Sequence, residues 1–343
     1  MYQSSADVPA DSGRQQASRL VDNHGRQITY LRLAITDRCN LRCTYCMPEE
    51  GIQTVSHDDT LSYEELERLV RVFLKMGIDK VRITGGEPFV RRGCMDFLER
   101  LKGELGVKHL VVTTNGVATH RYLSRLKALP ISGINLSLDT LDREQFRAIT
   151  RRDHLDDVLK TLYGALEQGI PLKVNSVVSA ETSDEEIRRL AGLARANDLS
   201  LRFIEQMGFS GDDGLTDRVD YNLEQRLMRL FPGMRTCAYT PGTTAKLYRV
   251  PGFAGTLGII EGHSRNFCSS CNRIRITPQG ILKACLYDNG VLNLRELIRS
   301  DIDETALEYQ IRGCLNKRFA NGVDTEQAYH NSHTHPSMAA IGG

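Results

Sequence analysis

The chain has 343 residues, 41% hydrophobic and 25% charged, enough for one large α/β domain with an appendage or for two domains. Its formal net charge of +1 offers no global field to draw nucleic acid or a membrane surface, so any anionic ligand has to be gripped locally. The first 18 residues are polar without the apolar core of a signal peptide, and no apolar run nears the roughly 18 residues of a membrane-spanning helix. These features predict a cytoplasmic protein with neither a nucleic-acid nor a membrane partner, and a mobile tail over residues 1–24.

From residue 28 to about 230, β-rich runs alternate with amphipathic ones. Strands are predicted at Ile28–Ile35, Lys80–Thr84, His109–Thr114, Gly133–Leu138, Leu172–Val178 and Ser200–Glu205. Helices are predicted between them at Ser62–Met76, Met95–Leu105, Leu155–Glu167 and Ser183–Ala196, with Ser62 and Glu65 forming a capping box and Gly77 a stop. Six βα units in succession imply a parallel sheet, wound open or curled into a partial (β/α)6 barrel of the TIM type. After Phe231-Pro232-Gly233 the pattern changes to short strands at Lys246–Val250, Gly255–Ile260, Arg273–Thr277 and Ile281–Ala284, with a hairpin turn at Pro278-Gln279-Gly280. Residues 291–318 read as helical and 320–343 as a polar tail. The expected division is a barrel over 25–235 and a C-terminal cluster-binding extension over 236–343.

Nine cysteines, an odd number, fit poorly with a disulfide framework. Cys94, Cys237 and Cys314 are scattered and read as small core residues. The other six form two groups. Cys39, Cys43 and Cys46 follow the first strand in a CxxxCxxC spacing, with Tyr45 before the last cysteine. Three thiolates on one loop can hold three irons of a four-iron cube and leave the fourth open, free to chelate the amino and carboxylate groups of S-adenosylmethionine (SAM). A structural zinc ion would need four ligands, and no fourth lies nearby in sequence. Gly85-Gly86-Glu87-Pro88, Thr113-Thr114-Asn115-Gly116, Ser137-Leu138-Asp139 and Met207 sit at the C-terminal ends of successive strands, where a barrel keeps its chemistry.

The second group, Cys268, Cys271 and Cys285, brackets the Pro278 hairpin, which can fold the third cysteine back on the first two. A zinc ribbon completed by His263 is the alternative to a second cluster with an open iron. Strand alternation turns Arg273 and Arg275 to one face, away from Ile274 and Ile276. The same alternation sends Arg32, Arg82 and Lys173 into the barrel lumen if the apolar face lies under the helices. Such a cavity suits a polyanion such as a nucleoside triphosphate, although no phosphate-binding Gly-x4-Gly-Lys-Ser/Thr loop is present.

The segments Leu31–Leu33, Thr36–Pro48, Arg82–Pro88, Phe203–Met207 and Phe267–Arg275, with the closing Gly342-Gly343, resemble the GTP 3′,8-cyclases, the molybdenum-cofactor biosynthesis protein A family of radical SAM enzymes. The resemblance runs from about residue 25 to the end. CxxxCxxC with Gly-Gly-Glu-Pro marks only the radical SAM superfamily, whereas Cys271–Arg275 and the diglycine point to this family. It implies two [4Fe-4S] clusters, SAM as cofactor and GTP as substrate. A 5′-deoxyadenosyl radical would take the ribose C3′ hydrogen of GTP, and the sugar radical would attack C8 of guanine. By matching positions, Tyr45, Gly86, Ser137 and Met207 would contact SAM. Arg32, Arg82, Thr113, Lys173, Arg273, Ile274 and Arg275 would contact GTP, and Arg273, Arg275, Gly342 and Gly343 would complete the catalytic site. The resemblance further implies a flavodoxin- or ferredoxin-type electron donor, cyclic pyranopterin monophosphate synthase as the next enzyme, and a homodimer. Glu261-Gly262-His263, Gly208 and His335-Pro336 depart from the family pattern without removing a ligand. Rival readings are a peptide-modifying radical SAM maturase, whose auxiliary region usually carries more cysteines, and a zinc-stabilised binding module.

Overall fold

The computed structural model describes residues 19–207, 222–238, 242–262, 266–329 and 337–342. Twelve strands among these residues form one sheet: β1 (Tyr30–Ala34), β2 (Lys80–Thr84), β3 (His109–Thr114), β4 (Gly133–Ser137), β5 (Leu172–Val178), β6 (Ser200–Glu205), β7 (Arg235–Thr236), β8 (Lys246–Arg249), β9 (Thr256–Ile260), β10 (Arg273–Ile276), β11 (Ile281–Lys283) and β12 (Leu292–Asn293). The order is β12-β11-β10-β1-β2-β3-β4-β5-β6-β9-β8-β7. The eight central strands are mutually parallel, and short antiparallel pieces finish both edges. It is the partial TIM-type barrel the βα alternation predicts, widened by two strands. C-terminal residues supply that widening: β9 extends β6, and β10 lies parallel to β1.

Helices α1 (Tyr63–Lys75), α2 (Cys94–Gly103), α3 (Leu123–Ala128), α4 (Arg143–Thr150), α5 (Leu155–Glu167), α6 (Asp184–Ala196) and α7 (Leu223–Leu230) connect the barrel strands. Their apolar stripes cover one face of the sheet: Leu66, Leu69 and Phe73 of α1 and Leu190 of α6 are buried with Leu31, Leu33, Val81, Ile83 and Val174 of the strands. The expected capping box at the start of α1 is formed, with Glu65 N donating to Ser62 Oγ (3.2 Å) and Ser62 N to the Glu65 carboxylate (2.7 Å). Gly77, at φ +96°, ends that helix.

Three expectations differ from the fold. Residues 19–24 belong to no loose tail: Leu20 is fully buried and bonds to Met76 and Ile28, and Val21 bridges Gln27. Residues 1–18 lie outside the described residues. The 291–318 region is β12 followed by two helices, α8 (Leu294–Arg299) and α9 (Glu304–Leu315), broken where Asp301 takes φ +61°. Beyond it, α10 (Gly322–Tyr329) and α11 (Met338–Ile341) are helical where a polar tail was expected. No helix among the described residues is long and apolar enough to cross a membrane.

Candidate functional site

The first cysteine loop leaves β1 and is held down by the end of β2. Gly86 N donates to the Thr36 carbonyl (2.7 Å) and Glu87 N to that of Arg38 (2.8 Å). A Cβ on Gly85 would stand 2.3 Å from the Thr36 oxygen, and one on Gly86 2.4 Å from that of Arg38, so only glycines permit this approach. Glu87 is fully buried and accepts from Asn115 N (2.7 Å), Phe89 N (3.1 Å) and Thr114 Oγ1 (2.9 Å). Burial pushes its carboxyl up to about 7 against the pull of the two backbone donors. It thereby sets Asn115, whose amide reaches Cys39 Sγ (3.6 Å) and Asn40 Oδ1 (2.7 Å). Glu87→Ala leaves two buried amides without an acceptor, so urea unfolding should show a loss of roughly 2–6 kcal/mol. An unchanged midpoint would remove Glu87 from this role.

Cys46 N and Met47 N both donate to the Cys43 carbonyl, forming the turn that gathers the trio, and Arg42 and Thr44 bond to the end of α4. Burial raises the Cys39, Cys43 and Cys46 thiols, Cys46 to about 11; Glu87 adds to it at Cys39, Asp139 and then the other two thiols at Cys43, and Cys39 at Cys46. Three half-buried thiols that resist ionisation suit a cationic group that takes them as thiolates and releases their protons. Asp139 faces them, accepting from Tyr45 Oη (2.7 Å) and Val177 N (2.8 Å), and burial lifts it to about 6.

The second trio forms as the hairpin predicts. Cys268 lies in a 3-10 turn, Cys271 N donates to its carbonyl (3.1 Å), and the β10–β11 pairing opposite Gly280 brings Cys285 back beside them. Cys285 N donates to Asp288 Oδ2 (2.6 Å), whose carboxylate pairs with buried Lys283 (3.7 Å). At Cys271 burial is outweighed by Arg273 and Arg318, which bring the thiol down to about 6. Six cysteines at two such loops fit two clusters by their donor chemistry. No group of three His, Cys, Asp or Glu among the described residues is placed to hold a single metal ion. His263, Gly208, His335, Pro336 and Gly343 lie outside the described residues.

Both trios line one cavity of ≈ 320 Å³, together with Tyr45, Gly86, Ser137 and Met207. The Tyr45 hydroxyl is engaged by Asp139, so a ligand there meets its ring or backbone. Arg32, Arg82, Thr113, Arg273 and Arg275 also reach the wall. In-register parallel pairing sets Arg275, Arg32 and Arg82 side by side on β10, β1 and β2. Burial, then Arg275 and Arg82, hold the Arg32 guanidinium well below its usual value. The Nε atoms of Arg32, Arg202 and Arg275, Thr113 Oγ1 and Asn175 Oδ1 are buried without a partner among the described residues. Tyr30 packs under Arg82 (5.4 Å from the ring centroid) and Lys80 (4.6 Å).

The side chains of Ile274 and Lys173 do not line the cavity. Ile274 turns its side chain into the apolar core because Arg273 and Arg275 take the cavity face of the same strand. Lys173 is half-buried and not among the residues lining the cavity; burial, then Arg202, Lys80 and Arg82, bring its amine down to about 8. Arg202, opposite Asn175 in register, stands on the wall without having been anticipated. The alternation Leu201-Arg202-Phe203 is the signal that marks it.

Residues 337–342 join the two trios. Ser337 Oγ donates to the Cys46 carbonyl (2.6 Å), and Ile341 packs on Tyr287 beside Met207 and Cys285. Gly342, at φ +76°, lies where a Cβ would be 2.6 Å from Ala34 Cβ and 2.8 Å from Thr84 Oγ1, at the mouth of β1 and β2.

Residues 33–194 match the radical SAM superfamily, and residues 199–322 match the Molybdenum Cofactor Synthesis C family. GTP 3′,8-cyclase of Geobacter sulfurreducens is 38% identical over 94% of this chain and 99% of its own length. Molybdenum cofactor biosynthesis protein 1 of Mus musculus is 39% identical over 84% of this chain and 46% of its own, so the chain spans about half the length of that relative. Streptococcus suis SuiB bound to S-adenosylmethionine shares the fold, with a TM-score of 0.57 at 17% identity over 84% of this chain and 69% of that one. The chain belongs to the GTP 3′,8-cyclase family of radical SAM enzymes.

Proposed function

We propose that this protein converts GTP to (8S)-3′,8-cyclo-7,8-dihydroguanosine 5′-triphosphate, using SAM and two four-iron clusters held by Cys39, Cys43 and Cys46 and by Cys268, Cys271 and Cys285. The observation that carries this reading is the single cavity bounded by both trios, with adjacent guanidiniums on its wall. Side-by-side cations at low dielectric repel and lack their water, a cost that a polyanion in the cavity offsets. When bound, SAM and the first cluster supply the radical that abstracts the ribose C3′ hydrogen.

The residues then divide the work of orientation. Arg32, Arg82 and Arg202 take the triphosphate, with Lys173 adding positive charge from behind. Arg273 is braced by Thr244 and by the Phe267 ring (5.2 Å), and with Arg275 it fixes the base end next to the second trio. Thr113 and Asn175 offer unpartnered oxygens to the ribose, while Gly86, Ser137, Met207 and Tyr45 seat SAM. Ile274 contributes backbone only. An electron donor of the flavodoxin or ferredoxin type and a following pterin-forming synthase complete the partners. Anaerobic protein given SAM, dithionite and GTP should form the cyclised triphosphate with equimolar 5′-deoxyadenosine. Cleavage of SAM without a GTP-derived product would reject the substrate.

The placement of Gly342 against Ala34 and Thr84 supports a part for the Gly342-Gly343 pair in completing the site. Gly342→Ala forces α11 away from Ala34 and Thr84, so cyclisation should fall by about tenfold for each 1.4 kcal/mol of misplacement, with iron content and melting temperature unchanged. Full cyclisation in that variant would show that the terminus only covers the site.

A further inference from the structure

Arg318, 6% exposed, lies against the second cysteine trio. Its Nη2 donates to Cys271 Sγ (3.2 Å) and to the Arg273 carbonyl (3.1 Å), and its Nη1 to the Cys271 carbonyl (3.2 Å) and to Asp22 (3.1 Å). Asp22 comes from the opposite end of the chain and also binds Arg26 Nε (2.7 Å). Arg26 in turn donates to the carbonyls of Cys268 (3.0 Å), Phe319 (2.9 Å) and Ala320 (2.6 Å). Two guanidiniums share this one carboxylate, so the group keeps a net positive charge beside the sulfur.

At the first trio the guanidinium of Arg42 donates to the Cys39 carbonyl (2.7 Å), and no contact among the described residues places a charged donor on a sulfur there. Cys39 Sγ accepts from Leu41 N (3.4 Å) and the Asn115 amide (3.6 Å), both neutral donors. A charged donor on a ligating sulfur draws electron density from it and favours the more negative, reduced state of whatever the sulfur holds.

We propose that Arg318, braced by Asp22 and Arg26, is a positioning residue that raises the reduction potential of the second cluster. This rests on the two-cluster reading. The fork geometry matters because one planar group serves a sulfur, two carbonyls and a carboxylate at once, which a lysine cannot do.

The test uses the full chain with Cys39, Cys43 and Cys46 replaced by Ala, so that only the second cluster is present. Dithionite supplies one electron per cluster, and electron paramagnetic resonance follows the titration. Arg318→Gln should make reduction about tenfold less favourable, about 59 mV more negative for one electron. Arg318→Lys should fall between it and the parent. A Gln variant with full iron and the parent's midpoint overturns the proposal. If the Gln variant loses its iron, the Lys variant decides by the same measurement, and loss of iron from both leaves Arg318 a purely structural part and overturns the tuning. Absence of iron from the parent triple variant would instead remove the second cluster itself.

Discussion

Replacing Cys39, Cys43 and Cys46 together by Ala should lower the iron of anaerobically reconstituted protein from about eight to about four atoms and abolish SAM cleavage. Replacing Cys268, Cys271 and Cys285 should halve the iron as well but leave SAM cleavage uncoupled from cyclisation. The asymmetry follows from the walls of the cavity: Tyr45, Gly86 and the Asp139 contact belong to the first loop and its neighbours, while Arg273 and Arg275 lead out of the second. Iron analysis and 5′-deoxyadenosine production measure both effects. Full iron in the second triple variant would leave those cysteines without a cluster.

Alanine at Arg32, Arg82 or Arg202 should weaken GTP binding by roughly ten- to a hundredfold, the 1.5–3 kcal/mol of one charged hydrogen bond. SAM binding should be nearly unchanged, and guanosine, lacking phosphates, should be indifferent to the three changes. Arg273→Ala and Arg275→Ala should weaken guanosine too. Lys173 adds a pH dependence. Its amine is held near 8 first by burial and then by Arg202, Lys80 and Arg82, and a bound anion raises it. GTP affinity should therefore be greatest below pH 8 and fall as pH rises through it, by up to about tenfold per unit while the bound form stays protonated. Calorimetry in two buffers at pH 8.5 should register proton uptake on binding. Barrel variants that bind GTP like the parent, or that weaken guanosine equally, would remove these cations from the phosphate site.

Much of this site is legible in one dimension because strands alternate. Leu31-Arg32-Leu33 and Lys80-Val81-Arg82 assign their faces without knowledge of any partner, and the same reading extends to Arg202. The strand limits at β2, β3, β5 and β6 agree with the sequence pattern at both ends, since β-branched runs bounded by turn residues are local signals. Ile274 obeys that alternation, and its side chain is accordingly in the core. Lys173 obeys it as well, opposite Asn135 and Ser200, yet its side chain does not line the cavity.

Spacing and alternation by themselves determined that the chain carries two cysteine trios, a parallel βα sheet and cations on one face of it. Which of these meet was decided only by tertiary structure. The Arg275-Arg32-Arg82 row needs β10 to pair in register with β1, across more than 200 residues of chain. The tail helix at Cys46 and Gly342 against Ala34 need the last residues to return to the first strand. Arg318 on Cys271 needs Asp22 from the opposite end to hold it. Each depends on strand order and packing between distant segments, and no local propensity carries that information.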